Sequence, residues 1–144
     1  MKIENPYWPR VSSSLFYDEP AAAIDWLCKA FGFEVRLKVE GEPGQIIHSE
    51  LMIGDDGLIM VGDAKKEGRR RSPRAIGGGN TQSVMVHVED IEAHCTRARA
   101  AGAKILQEPE THDYGEEYWA DRSYEAEDVE GHRWWFSQRV RNHT

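Results

Sequence analysis

The sequence predicts an α+β fold in which one domain is built from two βαβββ modules. Three observations carry this expectation. A helix stopped by glycine and followed by a strand occurs over residues 22–33 and again over residues 91–103, the two stop glycines, Gly32 and Gly102, stand seventy residues apart, and a stretch rich in glycine and arginine separates the halves. A supersecondary unit that recurs at a fixed spacing proposes an architecture before any motif does.

In the first half, residues 10–16 read as a strand, and Asp18 or Glu19 can cap a helix whose early Pro20 is tolerated because its missing N–H has no intrahelical partner. Ile24, Leu27, Cys28 and Phe31 then follow helical spacing and form one apolar stripe, which Gly32 ends. Phe33, Val35, Leu37 and Val39 alternate with charged residues, as a strand with one buried face does, before the turn Gly41-Glu42-Pro43-Gly44. Residues 46–53 and 58–61 make two more strands around the hairpin turn Gly54-Asp55-Asp56-Gly57. The first module therefore covers about residues 10–63.

The second half repeats the order over about residues 81–138. Val84, Val86 and Val88 alternate with Ser83, Met85 and His87, Asp90 caps a helix, and residues 104–106 form a short strand after Gly102. A polar loop leads to two closing strands at 118–126 and 132–138, joined by the acidic turn Glu127-Asp128-Val129-Glu130-Gly131. Between the modules, residues 64–80 hold Lys65, Lys66, Arg69, Arg70, Arg71 and Arg74 against Glu67 alone. That stretch lies among Gly68, Pro73 and Gly77-Gly78-Gly79 and lacks interleaved aromatics, so it reads as a solvated, mobile link rather than a nucleic-acid footprint.

With 144 residues, 40% hydrophobic and 30% charged, the chain can bury an ordinary core, and a disordered reading is excluded. No apolar run approaches the roughly 20 residues that span a bilayer, and the start, Met1-Lys2-Ile3-Glu4-Asn5-Pro6, carries no basic flank with a long apolar stretch, so a cytoplasmic protein is expected. The net charge of −7 also disfavours nucleic acid. Cys28 and Cys95 read as isolated helical thiols without a role.

Tyr118-Trp119-Ala120-Asp121-Arg122-Ser123, followed by Asp128-Val129-Glu130-Gly131-His132-Arg133-Trp134, resembles the W-G-D-R and D-P-F-G-H-x-W segments of the PhnB-like and glyoxalase-like branch of the vicinal oxygen chelate superfamily. That superfamily includes glyoxalase I, extradiol dioxygenases, fosfomycin-resistance enzymes and bleomycin-binding proteins. The resemblance spans about residues 10–138. It implies two modules paired into an open, curved mixed sheet with helices on the convex face, a ligand cavity on the concave face, and a homodimer.

The resemblance also implies four metal-ligand positions, which here fall on Ser12, Val61, Ser83 and Trp135. None is an imidazole or carboxylate donor of the kind a divalent Fe, Zn, Ni or Mn ion needs, so no cofactor is expected. If Trp135 points into the cavity, residue parity brings Arg133 and Ser137 with it and places Ser83, Met85 and His87 beside it, as well as Ser12, Ser14 and Phe16. The expected ligand contacts are Trp119 and Trp135 as planar platforms, Arg133 or Arg122 for an anionic or carbonyl group, and His87 with Ser83 for orientation.

The function expected is metal-independent binding of a small molecule, of the bleomycin-resistance type. Two alternatives are a lyase, isomerase or dioxygenase whose divalent metal has moved to His48, Glu50 and His87, and a non-catalytic interaction domain. His48 and Glu50 on one strand face can form a general-base pair, although a solvent-facing polar pair is the plainer expectation. Asp121 and Arg122 can equally anchor each other or a neighbouring strand. His94 is expected on the exposed side of its helix, and His94, His112 and His143 receive no role.

Overall fold

The computed structural model describes residues 8–64 and 68–142. Lys65, Lys66 and Glu67 of the basic stretch, the first seven residues, His143 and Thr144 lie outside the described residues. The order is β1 (Ser13–Tyr17), α1 (Pro20–Phe31), β2 (Glu34–Glu40), β3 (Ile46–Ile53), β4 (Gly57–Asp63), a single 3-10 turn (Pro73–Ile76), β5 (Val84–His87), α2 (Ile91–Ala100), β6 (Lys104–Asp113), β7 (Ala120–Glu127) and β8 (Arg133–Arg141). Each βαβββ set makes its own four-stranded mixed sheet, in the orders β1-β4-β3-β2 and β5-β8-β7-β6. In both, the first strand runs parallel to the last and the other pairings are antiparallel. The α+β class with two βαβββ modules is thus what the chain adopts. By compactness, one unit runs to Cys28 and resumes over Gly32–Ser72, and the other takes Lys29–Phe31 together with the chain from Pro73.

In the first unit, Leu15, Tyr17, Ile59, Val61 and Leu51 share one sheet face, all buried, and α1 supplies Ile24 and Leu27 to the core. The expected acidic cap of α1 is absent: Glu19 occupies the cap position but its side chain makes no capping hydrogen bond, and Asp18 accepts a hydrogen bond of 2.8 Å from the Ser72 hydroxyl. Gly32 ends the helix at a φ of 85°, a conformation that costs a side chain but not glycine. The pairing of β3 with β4 is recorded from Ile53↔Gly57 to Leu51↔Ile59; beyond it the buried Ser49 hydroxyl accepts from the Val61 N–H (2.9 Å) and donates to the Val61 carbonyl (2.7 Å). One side chain there does the work of a ladder rung.

Strand β2 departs from expectation. Val35 and Val39 are exposed, so its apolar alternation does not make a fully buried face, and a bulge between Val35 and Leu37 shifts the register. The basic stretch also differs from a wholly solvated link. Arg70 stacks on Phe16 with its guanidinium carbon 5.0 Å from the ring centroid, and Ser72 and Pro73 are buried.

In the second unit, Asp90 caps α2 by accepting from the Ala93 N–H at 3.0 Å, as its sequence predicts. Strand β6 reaches Asp113, well past the short strand expected at 104–106, because the segment read as a polar loop pairs with β7 as far as Asp113↔Ala120. None of its residues is fully buried, which leaves the strand with a polar composition. Cys28 is half-buried, Cys95 is buried, and neither forms a disulfide among the described residues.

Candidate functional site

Strand β8 sorts its side chains by parity. Trp134 and Phe136 are fully buried and pack on Phe31, with ring centroids 5.2 and 4.7 Å away, whereas Arg133, Trp135 and Ser137 project from the opposite face. The acidic turn fixes this arrangement. The Asp128 carboxylate accepts from the backbone N–H groups of Glu130 and His132 and from Trp134 Nε1, each at 3.0 Å. The spacing from Asp128 to Trp134 in the motif is therefore structural: the carboxylate shapes the turn and seats the indole, which sets Trp135 on the open face.

That open face holds a cavity of about 380 Å3 lined by Asn80, Thr81, Gln82, Ser83, Glu125, Arg133 and Trp135. Three of the expected ligand residues, Ser83, Arg133 and Trp135, meet here. Register carries Glu125 opposite Trp135 and Ser123 opposite Ser137, so the β7 wall is polar. Arg133 forms an ion pair with Glu125, whose side chain is largely shielded from solvent. Asn80 closes the rim, donating to the Gly131 carbonyl at 2.9 Å and accepting from the Arg133 N–H at 3.2 Å.

The remaining expected contacts lie elsewhere. His87 lines a second cavity of about 480 Å3 with Val88, Glu89, Gln138, Arg139 and Asn142. It stands four residues along β5 from Ser83, about 13 Å at an ordinary strand rise. Trp119 packs beside Tyr114 at 5.7 Å and lies under Arg139, whose guanidinium carbon is 5.4 Å from the indole centroid. Arg122 stands on the helix face of β7, where it pairs with Glu92 of α2 and donates to the Thr111 hydroxyl at 3.2 Å. Asp121 pairs with Arg139. The Asp121-Arg122 dipeptide thus anchors neighbouring elements, one residue on each face.

Glu125 and Asn80 were missed. Glu125 falls in the same parity class as Ser123, a signal that becomes usable once the β7 register is known. Asn80 sits in an aperiodic, glycine-rich stretch that gives no such signal.

His94 corrects a second expectation. It does not face solvent: its Nε2 bonds to the Phe31 carbonyl at 2.9 Å, its Nδ1 to the Tyr124 hydroxyl at 2.6 Å, and its ring lies 4.3 Å from that of Phe136. Since a carbonyl only accepts, Nε2 carries the proton and Nδ1 accepts from the phenol. Burial, helped by the charge of Arg97 and opposed by the Phe31 carbonyl, pushes the His94 pKa down. Burial likewise pushes the Tyr124 phenol well up.

In the first unit, Glu50 overturns the reading of a solvent-facing polar pair. It is only 2% exposed. Its Oε1 meets Arg36 Nε at 2.9 Å and Nη2 at 2.8 Å, and its Oε2 bonds His48 Nε2 at 2.8 Å. Burial raises the carboxyl pKa, but the hydrogen bonds from His48 and Arg36 and their charges outweigh it, so the group lies below its ordinary value. Trp8 covers the Arg36 guanidinium, 4.7 Å from carbon to ring centroid.

The metal positions implied by resemblance do not fit a metal ion. The Ser12 hydroxyl is shut from solvent with no hydrogen-bond partner among the described residues. Val61 lies on the helix face, because β1 pairs Ser14 with Met60 and Leu15 with Val61; the β4 residue beside Ser14 is therefore Met60. With Ser83 and Trp135 these supply no imidazole or carboxylate, and among the described residues no three His, Cys, Asp or Glu side chains are grouped to hold an ion. His48 and Glu50 meet each other, while His87 belongs to the other sheet.

Comparison with known proteins agrees with this architecture. The family model of the Glyoxalase/Bleomycin resistance protein/Dioxygenase superfamily matches residues 10–136. The uncharacterised protein Mb0911c of Mycobacterium bovis is 31% identical over 135 residues, covering 92% of this chain and 85% of that protein. The crystal structure of TioX from Micromonospora sp. ML1 is 34% identical with a TM-score of 0.67, covering 90% of this chain and 97% of TioX. TnmS3, an antibiotic binding protein from Streptomyces sp. CB03234, shares 16% identity at a TM-score of 0.65 over 90% of this chain and 93% of its own, a likeness of fold alone. Two βαβββ sheets, a model match over most of the chain and relatives above 30% identity give one conclusion: the chain belongs to the glyoxalase/bleomycin resistance protein/dioxygenase superfamily.

Proposed function

We propose that this chain binds a small molecule without a metal ion, in the manner of the ligand-sequestering members of its superfamily. The observation that carries the reading is the cavity of about 380 Å3 in which the Trp135 indole stands beside the Arg133–Glu125 ion pair and Ser83. An aromatic surface with a few convergent polar groups is the makeup of a small-molecule pocket. Trp135 supplies a platform for a planar group, and Arg133 meets an anionic or carbonyl group. The second cavity at His87, with Trp119 behind Arg139, extends the same sheet face and serves a longer ligand. Antibiotic binding by TnmS3, a protein of the same fold, supports the class of function. In this reading the protein is a cytoplasmic homodimer of the PhnB-like branch, to which its Asp128 and Trp134 motif points.

Isothermal titration of dialysed protein with bleomycin and with a planar quinone antibiotic tests the proposal, with plasma mass spectrometry to measure metal content. Saturable binding without turnover by metal-free protein is the expected result, weakened by about 1 to 3 kcal/mol in Trp135→Ala. Metal that survives dialysis at near-stoichiometric level, or heats unchanged in Trp135→Ala, overturns it.

A further inference from the structure

Residues 114–119 join β6 to β7 and line neither cavity. They carry three exposed aromatic side chains: Tyr114 is 54% exposed, Tyr118 54% and Trp119 36%. The rings touch one another. Tyr114 lies 5.7 Å from Trp119 with a tilt of 49°, and Tyr118 meets the indole edge-on at 6.3 Å and 89°. The backbone beneath them is fixed from β8 and from within the turn. Arg141 donates to both carboxylate oxygens of Asp113, at 2.8 and 2.7 Å, and to the Gly115 carbonyl at 2.8 Å. The Tyr114 N–H donates to the Trp119 carbonyl and the Tyr118 N–H to the Gly115 carbonyl, each at 3.0 Å. A surface ordered in this way loses little conformational freedom when something docks on it.

The charges of this turn do not balance. Arg139 and Arg141 are committed to Asp121 and Asp113. Glu116 and Glu117 are exposed and have no hydrogen bond or ion pair among the described residues. The surface left over is aromatic and anionic, so its complement is a cation that stacks. The structure holds one example of that contact, the Arg139 guanidinium over the Trp119 indole at 5.4 Å. Rings in mutual contact leave no slot between them for a rounded ammonium group, and their outer faces suit a planar guanidinium. Half-exposed rings on a turn, unlike rings recessed in a cleft, fit a chain that drapes over them. We propose that this turn is a docking surface for an arginine-bearing, unstructured segment of a partner protein. Its guanidinium groups stack on Tyr114, Tyr118 and Trp119, while Glu116 and Glu117 meet their charge.

An arginine–glycine repeat peptide with a fluorescent label is the probe, and the lysine–glycine peptide of the same length is the comparison. Anisotropy titration with the full chain at low ionic strength gives both affinities. The arginine peptide is expected to bind about fivefold more tightly than the lysine peptide, or better. Tyr118→Ser should abolish that preference. Glu116→Gln with Glu117→Gln should weaken the arginine peptide about threefold or more. Asp55→Asn with Asp56→Asn removes the same charge from the exposed turn between β3 and β4 and should leave the affinity unchanged. Equal affinity for the two peptides, an arginine preference that survives Tyr118→Ser, or equal losses in the two acidic double variants overturn the proposal. So does concentration-dependent self-association of the wild type that Tyr118→Ser abolishes, since it assigns the surface to a second copy of the chain.

Discussion

The Tyr124 hydroxyl donates to His94 Nδ1 across 2.6 Å, and the same imidazole donates from Nε2 to the Phe31 carbonyl at 2.9 Å. One ring thus joins α2, β7 and the last turn of α1 within the second unit, and it does so only when neutral. Because the folded pKa of His94 lies below its ordinary value, the unfolded chain takes up the proton more readily. The stabilisation is complete above the ordinary histidine value and is lost as pH falls through the lowered one. Urea denaturation at about pH 7.5 and about pH 5 is expected to show a larger loss for the wild type than for His94→Gln. Tyr124→Phe, which leaves Nδ1 without its donor, is expected to cost about 1 to 3 kcal/mol near neutral pH.

Asp128 accepts three hydrogen bonds at once, so its removal is expected to be more damaging than that of an ordinary turn aspartate. Asp128→Ala should cost about 3 kcal/mol, since bonds to a charged acceptor each contribute about 1.5 to 3 and do not add fully. Denaturant titration measures this. Loss of the buried Trp134 environment shows in a red shift of tryptophan emission.

Glu50 and Arg36 form a shielded ion pair whose separate loss is expected to exceed their joint loss. Glu50→Leu alone leaves the guanidinium without its counter-charge and should cost about 3 to 5 kcal/mol, whereas Arg36→Met with Glu50→Leu should recover most of it. A double-mutant cycle from urea midpoints tests the coupling. The folded pKa of Glu50 is lowered, so its contribution is present above the ordinary carboxylate value and disappears as pH falls through the lowered one.

Arg133 and Arg122 separate binding from stability. Arg133 lines the cavity, and Arg122 pairs with Glu92 on the other face of the sheet. Arg133→Ala is expected to weaken ligand binding by about 1 to 2 kcal/mol in calorimetry. Arg122→Ala should leave affinity unchanged and alter stability by no more than about 1 kcal/mol.

The elements of the fold were legible wherever one face of a helix or strand is buried. Ile24, Leu27 and Phe31 announced α1, and Trp134 and Phe136 sorted β8, because burial writes a period into the sequence. Strand β6 was cut short and the apolar run of β2 was over-read for the same reason: exposure erases that period. In the candidate site, the positions implied by the resemblance put Ser83 and Trp135 on the open face and parity added Arg133, yet the same implied positions put Val61 on the wrong face, since a one-residue offset on β4 exchanges the two faces. The Arg36 partner of Glu50 and the partners of His94 were invisible in the sequence. Arg36 reaches Glu50 through a bulge, and His94 finds Tyr124 thirty residues away, neither of which a local pattern encodes.

Ser49 carries a different lesson. A search for nucleophiles would select a fully buried serine on the strand next to a sheet edge, one residue from a histidine and one from a glutamate. Its hydroxyl is spoken for at both ends by the N–H and the carbonyl of one residue, Val61, so its chemistry is spent on architecture. A saturation library should therefore tolerate threonine there far better than alanine or valine, and such intolerance at a serine flanked by His48 and Glu50 would look like catalysis while reporting only a seam in the sheet.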